Sequence, residues 1–165
     1  MFSRSVDTKK HAPTPAVEEG PYYKEGSPGR RNIAEPDMPG TKLIVEGRVR
    51  DTSGKPVAAA WMDFWQADSN GQYDNENYKL RGHQFTEKDG KYRLETIIPT
   101  GYQQRAPHIH CKVRARDDAP VLTTQLFFVG NEKNATDRIF EELTAMETKR
   151  FKDGEKASFD FILNV

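Results

Sequence analysis

Short segments with strand character alternate with turn residues along most of this 165-residue chain. The segments are rich in apolar, β-branched or aromatic side chains, and Gly, Pro, Asp and Asn separate one segment from the next. They cover residues 43–49, 59–66, 84–86, 91–94, 109–114, 122–129 and 157–163. Many short strands divided by turns are typical of two packed sheets or of a barrel. The sequence therefore predicts an all-β fold, a β-sandwich with long connecting loops.

Turn residues also predict which segments pair. The sequence Glu-Lys-Asp-Gly at residues 87–90 predicts a hairpin between segments 84–86 and 91–94. Segments 109–114 and 122–129 flank an Asp-Asp-Ala-Pro turn and form a second candidate pair.

One segment departs from the strand pattern. Apolar side chains recur there at helical spacing behind a polar capping residue, which predicts one short helix near residues 136–147. The apolar residues are Ile139, Phe140, Leu143 and Met146. Residues 1–19 are polar and contain two prolines, so we expect an extended N-terminal arm. Residues 20–165 are expected to form a single sandwich domain.

Composition excludes several classes of function. Lysine plus arginine and aspartate plus glutamate each total 25, so the charge pattern predicts no binding to nucleic acid or to an anionic membrane. No stretch is apolar enough to span a bilayer, and residues 1–20 lack the apolar centre of a secretory signal. Cys111 is the only cysteine, which excludes an intrachain disulfide and is typical of a reducing compartment. We expect a cytoplasmic protein.

Two histidines in one predicted strand carry the clearest chemical signal. Alternate side chains of a strand share a face, so His108 and His110 can bind one metal ion together. An iron(II) site with two histidines needs a carboxylate, but no acidic residue follows until Asp117. A zinc site that recruits His83 as the third ligand is another reading.

Tyrosine offers a further ligand set. Tyr102 lies in a turn six residues before His108, and Tyr73 follows the turn Asn70-Gly71-Gln72. A phenol has a pKa near 10 and binds only an ion that can displace its proton, as iron(III) does. Taken alone, each tyrosine is more often an ordinary core or surface aromatic. Residue types alone therefore leave iron(III), zinc and no metal open.

Six motifs in a fixed order carry a resemblance to a known family. They are Trp65-Gln66-Ala67-Asp68, Asn70-Gly71-Gln72-Tyr73, Asp89-Gly90-Lys91-Tyr92, Pro99-Thr100-Gly101-Tyr102, Arg105-Ala106-Pro107-His108-Ile109-His110 and Leu122-Thr123-Thr124-Gln125-Leu126. In this order they resemble the intradiol ring-cleavage dioxygenases, which include catechol 1,2-dioxygenases and protocatechuate 3,4-dioxygenases. The likeness runs from about Pro15 to the C-terminus. Motifs in a common order are far more specific than any one of them.

The resemblance implies an enzyme with mononuclear, non-heme iron(III). Such an enzyme uses O2 to cleave a catechol-type diol between its two hydroxyl-bearing carbons, and gives a cis,cis-muconate-type dicarboxylate. The implied protein ligands are Tyr73, Tyr102, His108 and His110. The implied partners are the small catechol substrate and O2.

Further roles follow from the same resemblance. Tyr102 would also leave the iron and act as a base, Arg105 matches the active-site arginine of the family, and Gln125 matches its pocket glutamine. The segment that lines the substrate pocket in the family corresponds to Gly20, Pro21 and Tyr22.

Several questions stay open at this stage. Lys24 or Arg81 could meet a carboxylate on the substrate ring, but neither role is established, so the sequence does not fix the ring substituents. The chain resembles a compact form without the N-terminal helical region through which the catechol enzymes dimerise, and a homo-oligomer of another kind is left open. The alternatives to the iron enzyme are a zinc enzyme that uses His83, His108 and His110, and a non-catalytic β-sandwich binding module.

Overall fold

A computed structural model describes residues 11–165, and ten strands in that range form two sheets around one apolar core. The strands are β1 Lys42–Asp51, β2 Trp61–Gln66, β3 Arg81–Phe85, β4 Lys91–Ile97, β5 His108–Arg114, β6 Leu122–Phe128, β7 Ala145–Met146, β8 Thr148–Phe151, β9 Gly154–Ser158 and β10 Phe161–Leu163. In the first sheet β4 pairs with one edge of β1, β9 and β10 pair with the other, and β8 follows β9. The second sheet has the order β3-β2-β5-β6-β7. The predicted all-β sandwich is confirmed.

The second sheet has a core face and an outer face, because successive side chains of a strand point to opposite sides. Phe64 and Ile109 lie on the core face and are buried between the sheets. The strand register sets four residues side by side across the outer face: Arg81, Trp65, His110 and Gln125. All four are at most 2% exposed although they face away from the core. Other parts of the chain therefore cover this outer face.

The predicted hairpin between residues 84–86 and 91–94 is wrong, because β3 and β4 belong to different sheets. β3 pairs with β2, whereas β4 pairs with β1 over seven residues. The turn at residues 87–90 does form, but it carries the chain from one sheet to the other. A turn sequence predicts that the chain reverses direction, but it does not predict which strand the next segment pairs with. The long strand β1 can form more backbone hydrogen bonds with β4 than the short strand β3 can. The second predicted pair, β5 with β6, is antiparallel as expected.

The single short helix predicted near residues 136–147 is also wrong. Two 3-10 turns, Glu132–Ala135 and Glu142–Thr144, are found instead, and β7 follows directly. The side chains of Asp137 and Glu141 each accept a hydrogen bond from the amide two residues ahead, which competes with helical hydrogen bonding. The apolar residues do not share one buried face, because Leu143 is 73% exposed while Met146 is buried in β7.

The last predicted strand, residues 157–163, is two strands in the structure. β9 and β10 both run parallel to β1, and the chain shifts along β1 between them. Gly47 makes this shift possible, since a Cβ atom there would lie 1.8 Å from the carbonyl oxygen of Phe159. Strand β8 was not predicted.

The N-terminal segment forms hydrogen bonds first with a strand of the first sheet and then with a strand of the second. Beyond these bonds it lies over the outer face of the second sheet. Residues 1–10 of the expected arm lie outside the described residues. The amide of Thr14 donates to Ile162 O in β10 (2.9 Å), and the amide of Val17 donates to Thr123 O in β6 (3.0 Å). These bonds set the following residues over β5 and β6. No helix within residues 11–165 is long and apolar enough to cross a membrane.

Candidate metal centre

Two phenol oxygens and two imidazole nitrogens, from three parts of the chain, converge on the outer face of the second sheet. His108 and His110 project from β5, Tyr73 lies in the loop after β2, and Tyr102 lies in the loop after β4. Tyr73 Oη is 3.0 Å from Tyr102 Oη, 2.8 Å from His110 Nε2 and 3.3 Å from His108 Nε2. His108 Nε2 is 3.3 Å from Tyr102 Oη and 3.1 Å from His110 Nε2.

These separations fit a shared metal ion. A point equidistant from Tyr73 Oη and the Nε2 atoms of the two histidines can lie about 2 Å from each of them, which is the length of a metal–nitrogen or metal–oxygen bond. The two tyrosines and the histidine pair come from three different elements, so no single local turn brings them together. The strand register and the covering loops do so.

Both histidines are held as neutral donors. The Nδ1–H group of His108 donates to Ala106 O (2.7 Å), which leaves the lone pair on Nε2 pointing into the cluster. Burial, helped by the charge of Arg105, lowers the pKa of His108 to about 4. Burial, with His108 and Arg105 nearby, also lowers the pKa of His110 well below its ordinary value. The ring of His110 stacks on Trp65 at 4.7 Å, which fixes its plane.

Without a metal ion, both tyrosine hydroxyls are protonated at neutral pH. Burial, with the hydrogen bond to Tyr102, raises the pKa of Tyr73 far above that of a free phenol. Burial also raises the pKa of Tyr102, although Tyr73 and Arg105 offset part of that effect. Two phenols of this kind become anionic ligands only beside an ion of high charge. The donor set of two neutral nitrogens and two such oxygens suits a trivalent ion.

Arg105 and Gln125 lie next to this cluster and contact each other. An Nη–H group of Arg105 donates to Gln125 Oε1, and Gln125 Nε2 donates to Glu18 O (2.7 Å). The Arg105 side chain is 15% exposed. The structure therefore brings together both residues that the motif order singled out.

Asp137 is a residue of this network that the sequence reasoning missed. Its Oδ2 accepts from Arg105 Nε (3.0 Å) and from the Ala106 amide (2.9 Å), and its Oδ1 accepts from the Ile139 amide (2.8 Å). Burial alone would raise the pKa of Asp137, but these hydrogen bonds outweigh it and leave the pKa below its ordinary value. No motif or spacing marks this residue, because its partners precede it by some thirty positions.

An open cavity of about 280 Å³ borders the two tyrosines. Tyr22 lines it, stacks on Tyr73 at 4.3 Å and meets Tyr102 edge to face at 6.3 Å. Gly20 lies beside the His110 ring, since a Cβ atom there would be 3.6 Å from Cε1. Pro21 is exposed and does not line the cavity. Of the three residues expected to bind substrate, Tyr22 is the one that faces this space.

His83 does not join the two histidines of β5. Its Nδ1 atom lies 2.8 Å from Ser27 O, and strand β2 separates it from β5. Within residues 11–165, no three His, Cys, Asp or Glu side chains are grouped so that they could hold a metal. The predicted zinc site with His83 as a ligand is therefore wrong, because His83 forms a hydrogen bond with Ser27 of the N-terminal segment.

Fold and site together define an all-β sandwich with a histidine and tyrosine centre on the outer face of one sheet. The chain belongs to the family described as Dioxygenase, whose model matches residues 18–164. The resemblance carried by the motif order is thereby confirmed.

Three relatives illustrate the match. The catechol 1,2-dioxygenase of Pseudomonas sp. (strain EST1001) is 29% identical over 93% of this chain and 60% of its own length. The chlorocatechol 1,2-dioxygenase of Rhodococcus opacus is 28% identical over 99% of this chain and 78% of its own. The solved dioxygenase domain of a dioxygenase–carbohydrate-binding protein fusion from Streptomyces sp. SirexAA-E is 43% identical, with a TM-score of 0.90 over 93% of this chain and 99% of that one. This chain thus spans about three fifths of the Pseudomonas enzyme and nearly all of the Streptomyces domain.

Proposed function

We propose that the protein is an iron(III)-dependent intradiol dioxygenase that cleaves a catechol-type diol with O2 to a cis,cis-muconate-type dicarboxylate. The observation that carries this proposal is the convergence of Tyr73 Oη, Tyr102 Oη and the Nε2 atoms of His108 and His110, for which five of the pairwise distances are 2.8 to 3.3 Å. The named activities of the relatives support it, since they are catechol, chlorocatechol and hydroxyquinol 1,2-dioxygenases.

The iron would be held by the two phenol oxygens and the two imidazole nitrogens of the cluster. When bound, iron(III) supplies the Lewis acidity that ionises a catechol and lets its ring react with dioxygen. The phenol of Tyr102 borders the cavity, and burial favours its protonated form. If Tyr102 binds the ion as a tyrosinate, it is therefore suited to leave the ion and take up a proton that an incoming diol releases.

Arg105 would stabilise the negative charge that grows on the substrate ring and on oxygen. Its guanidinium is held on two sides, by Gln125 and by Asp137, so it need not reorganise during the reaction. Gln125 in turn is fixed by Glu18 O. A preorganised cation in a partly buried site stabilises developing charge more strongly than one that moves freely in water.

Neither Lys24 nor Arg81 lines the cavity, which argues for a catechol without a ring carboxylate. Lys24 Nζ donates to Glu76 O (2.8 Å) and Asn77 O (3.2 Å) and lies 4.2 Å from the centre of the Tyr78 ring. Arg81 is 2% exposed and binds backbone carbonyls. Neither side chain is free to meet a substrate carboxylate. We therefore expect catechol or a hydroxylated catechol to be preferred over protocatechuate.

Aerobic turnover tests this function directly. The iron-loaded protein is given catechol, hydroxyquinol, chlorocatechols and protocatechuate in turn, and oxygen uptake and the ring-opened product are measured. We expect uptake with product for at least one diol, and loss of both in His108→Ala. Tyr78→Phe is the matched control, because its hydroxyl binds Glu25 O outside the cluster and its loss leaves the four ligands intact. Absence of uptake with every diol would overturn the proposal.

A further inference from the structure

Asp63 is a buried carboxylate that binds the N-terminal segment through both of its oxygens. It lies in β2 on the outer face of the second sheet and is 3% exposed. Ser27 Oγ donates to Oδ1 (2.7 Å), and Tyr23 Oη donates to Oδ2 (2.9 Å). Burial raises the pKa of Asp63, and these two hydrogen bonds offset part of that effect. A buried carboxylate is costly unless it is hydrogen-bonded, so the carboxylate and the two hydroxyls hold one another in place.

The neighbours of Asp63 in the sheet contact the same part of the chain. The strand register sets His83 of β3 and Lys112 of β5 on either side of Asp63. The carbonyl oxygen of Ser27 lies 2.8 Å from His83 Nδ1, and the centre of the Tyr23 ring lies 4.8 Å from Lys112 Nζ. Asp63 stands between these two residues and binds both side chains of the segment. It is therefore a central anchor of residues 22–27, the cover segment.

The cover segment shapes the cavity beside the metal centre through two adjacent aromatic rings. Tyr23 packs on Trp65, with the ring centres 4.7 Å apart. Tyr22 stacks on Tyr73 at 4.3 Å and lines the open cavity. A planar peptide bond leaves few soft rotations between neighbouring residues, so fixing Tyr23 restricts where Tyr22 can lie. The hydrogen bonds of Asp63 therefore act on the cavity wall although Asp63 itself does not line it.

We propose that Asp63 is a positioning residue for diol binding. Through its hydrogen bonds to the cover segment it holds Tyr22 in the cavity wall. The inference rests on the proposed function, since it concerns substrate binding at the same site. A hydrogen bond to a buried carboxylate shifts the balance between a closed and an open cover segment on the order of tenfold. A diol that binds only the closed form loses apparent affinity in proportion to the closed fraction, so loss of Asp63 raises KM and changes kcat little.

Other contacts of the cover segment limit the effect of losing Asp63. Arg81 donates to Tyr22 O, and the hydroxyl of Tyr78 donates to Glu25 O. These bonds keep the cover segment near the sheet when Asp63 is replaced. We therefore expect the cover segment to open for part of the time and not to detach.

Three variants separate the hydrogen bonds of Asp63 from its charge. Asp63→Ala removes both acceptors. Asp63→Asn removes the charge but keeps the shape, and its amide can accept from Ser27 and donate to Tyr23. Tyr23→Phe keeps the carboxylate and the aromatic ring and removes one donor. Gln84→Ala is the matched control, because Gln84 is 6% exposed and forms two hydrogen bonds with the backbone of Arg93 in β4.

Two measurements are made on each variant. In the metal-free protein with Trp61→Phe, Trp65 is the only tryptophan, and it is 1% exposed. Acrylamide quenching of its fluorescence then measures how often the cover segment opens. In the iron-loaded protein, KM and kcat per bound iron are measured with catechol or, if catechol is not turned over, with hydroxyquinol. Circular dichroism verifies that each variant is folded.

We expect stronger quenching of Trp65 and a KM higher on the order of tenfold in Asp63→Ala, with kcat nearly unchanged. Tyr23→Phe should show a smaller change of the same kind, and Asp63→Asn and Gln84→Ala should stay close to the unsubstituted protein. If Asp63→Ala does not fold, Tyr23→Phe decides, because it keeps the carboxylate and its bond from Ser27.

Unchanged quenching in Asp63→Ala, or an equal rise of KM in Gln84→Ala, overturns this inference alone. Stronger quenching with an unchanged KM also overturns it, because the role of Asp63 is then only structural. An iron-loaded parent protein that takes up no oxygen with any diol overturns the proposed function and, with it, the role of Asp63 in diol binding.

Discussion

Replacement of Asp137 by alanine is expected to destabilise the protein strongly and to misplace Arg105. The Asp137 side chain is 1% exposed and accepts three hydrogen bonds, one of them from the Arg105 guanidinium. Loss of one partner of a buried ion pair costs about 3–5 kcal/mol, because the remaining charge is left without compensation. Arg105 is 15% exposed, so water recovers part of that cost. We expect the free energy of unfolding to fall by about 3 kcal/mol.

Urea unfolding followed by circular dichroism measures this loss. Asp118→Ala is the matched control, because Asp118 pairs with Arg116 at 2.9 Å but both side chains are more than 60% exposed. An exposed pair contributes less than about 1 kcal/mol. In the iron-loaded protein, Asp137→Asn is expected to lower kcat more than it raises KM, since the amide fills the same space but no longer holds the guanidinium by charge. A loss in Asp137→Ala no larger than that in Asp118→Ala would refute the assigned network.

Three further predictions concern the same face of the second sheet. For the metal-free protein, the folded pKa of His108, about 4, lies below the ordinary 6.5, so the unfolded chain binds more protons between these values. This contribution to stability is complete above pH 6.5 and is lost as the pH falls toward 4. Urea unfolding should show that His108→Gln removes about 2 kcal/mol of the loss from pH 7 to pH 5, while the contribution of His110, whose pKa is also lowered, remains. Gly101→Ala would set a Cβ atom 2.4 Å from Arg105 O, and calorimetry should show a lower melting temperature; an unchanged one would mean that this loop yields easily. Tyr22→Leu removes the ring stacked on Tyr73 and should raise KM for the diol more than it lowers kcat in oxygen-uptake assays; equal effects on both would contradict a role in the pocket wall.

The sheets were predictable where the pattern is local. The alternation of His108 and His110 within one strand is a property of consecutive residues, and the structure places both rings on the outer face. The pairing of β5 with β6 follows from neighbouring segments and a short turn. The transfer of β4 to the other sheet was not predictable from its turn, because the choice depends on the length of β1, forty residues earlier.

Parts of the site depend on contacts that no local pattern shows. Tyr73 and Tyr102 were identified through motif order, and their convergence requires two separate loops to fold over the same strand. The sequence did not identify Asp137 as a site residue, because an aspartate that becomes buried cannot be distinguished in the sequence from one on the surface. Asp137 also explains why the predicted helix near residues 136–147 does not form. Its side chain accepts a hydrogen bond from the Ile139 amide, which competes with the backbone hydrogen bonding of a helix.

The visible spectrum of the iron-loaded protein tests whether Tyr73 and Tyr102 bind iron(III). We expect one iron per chain and a broad visible absorption from tyrosinate-to-iron(III) charge transfer, weakened in both Tyr73→Phe and Tyr102→Phe and unchanged in Tyr78→Phe. A protein that binds iron at this ratio but stays colourless would contradict this prediction, because the two phenols would then not be ligands.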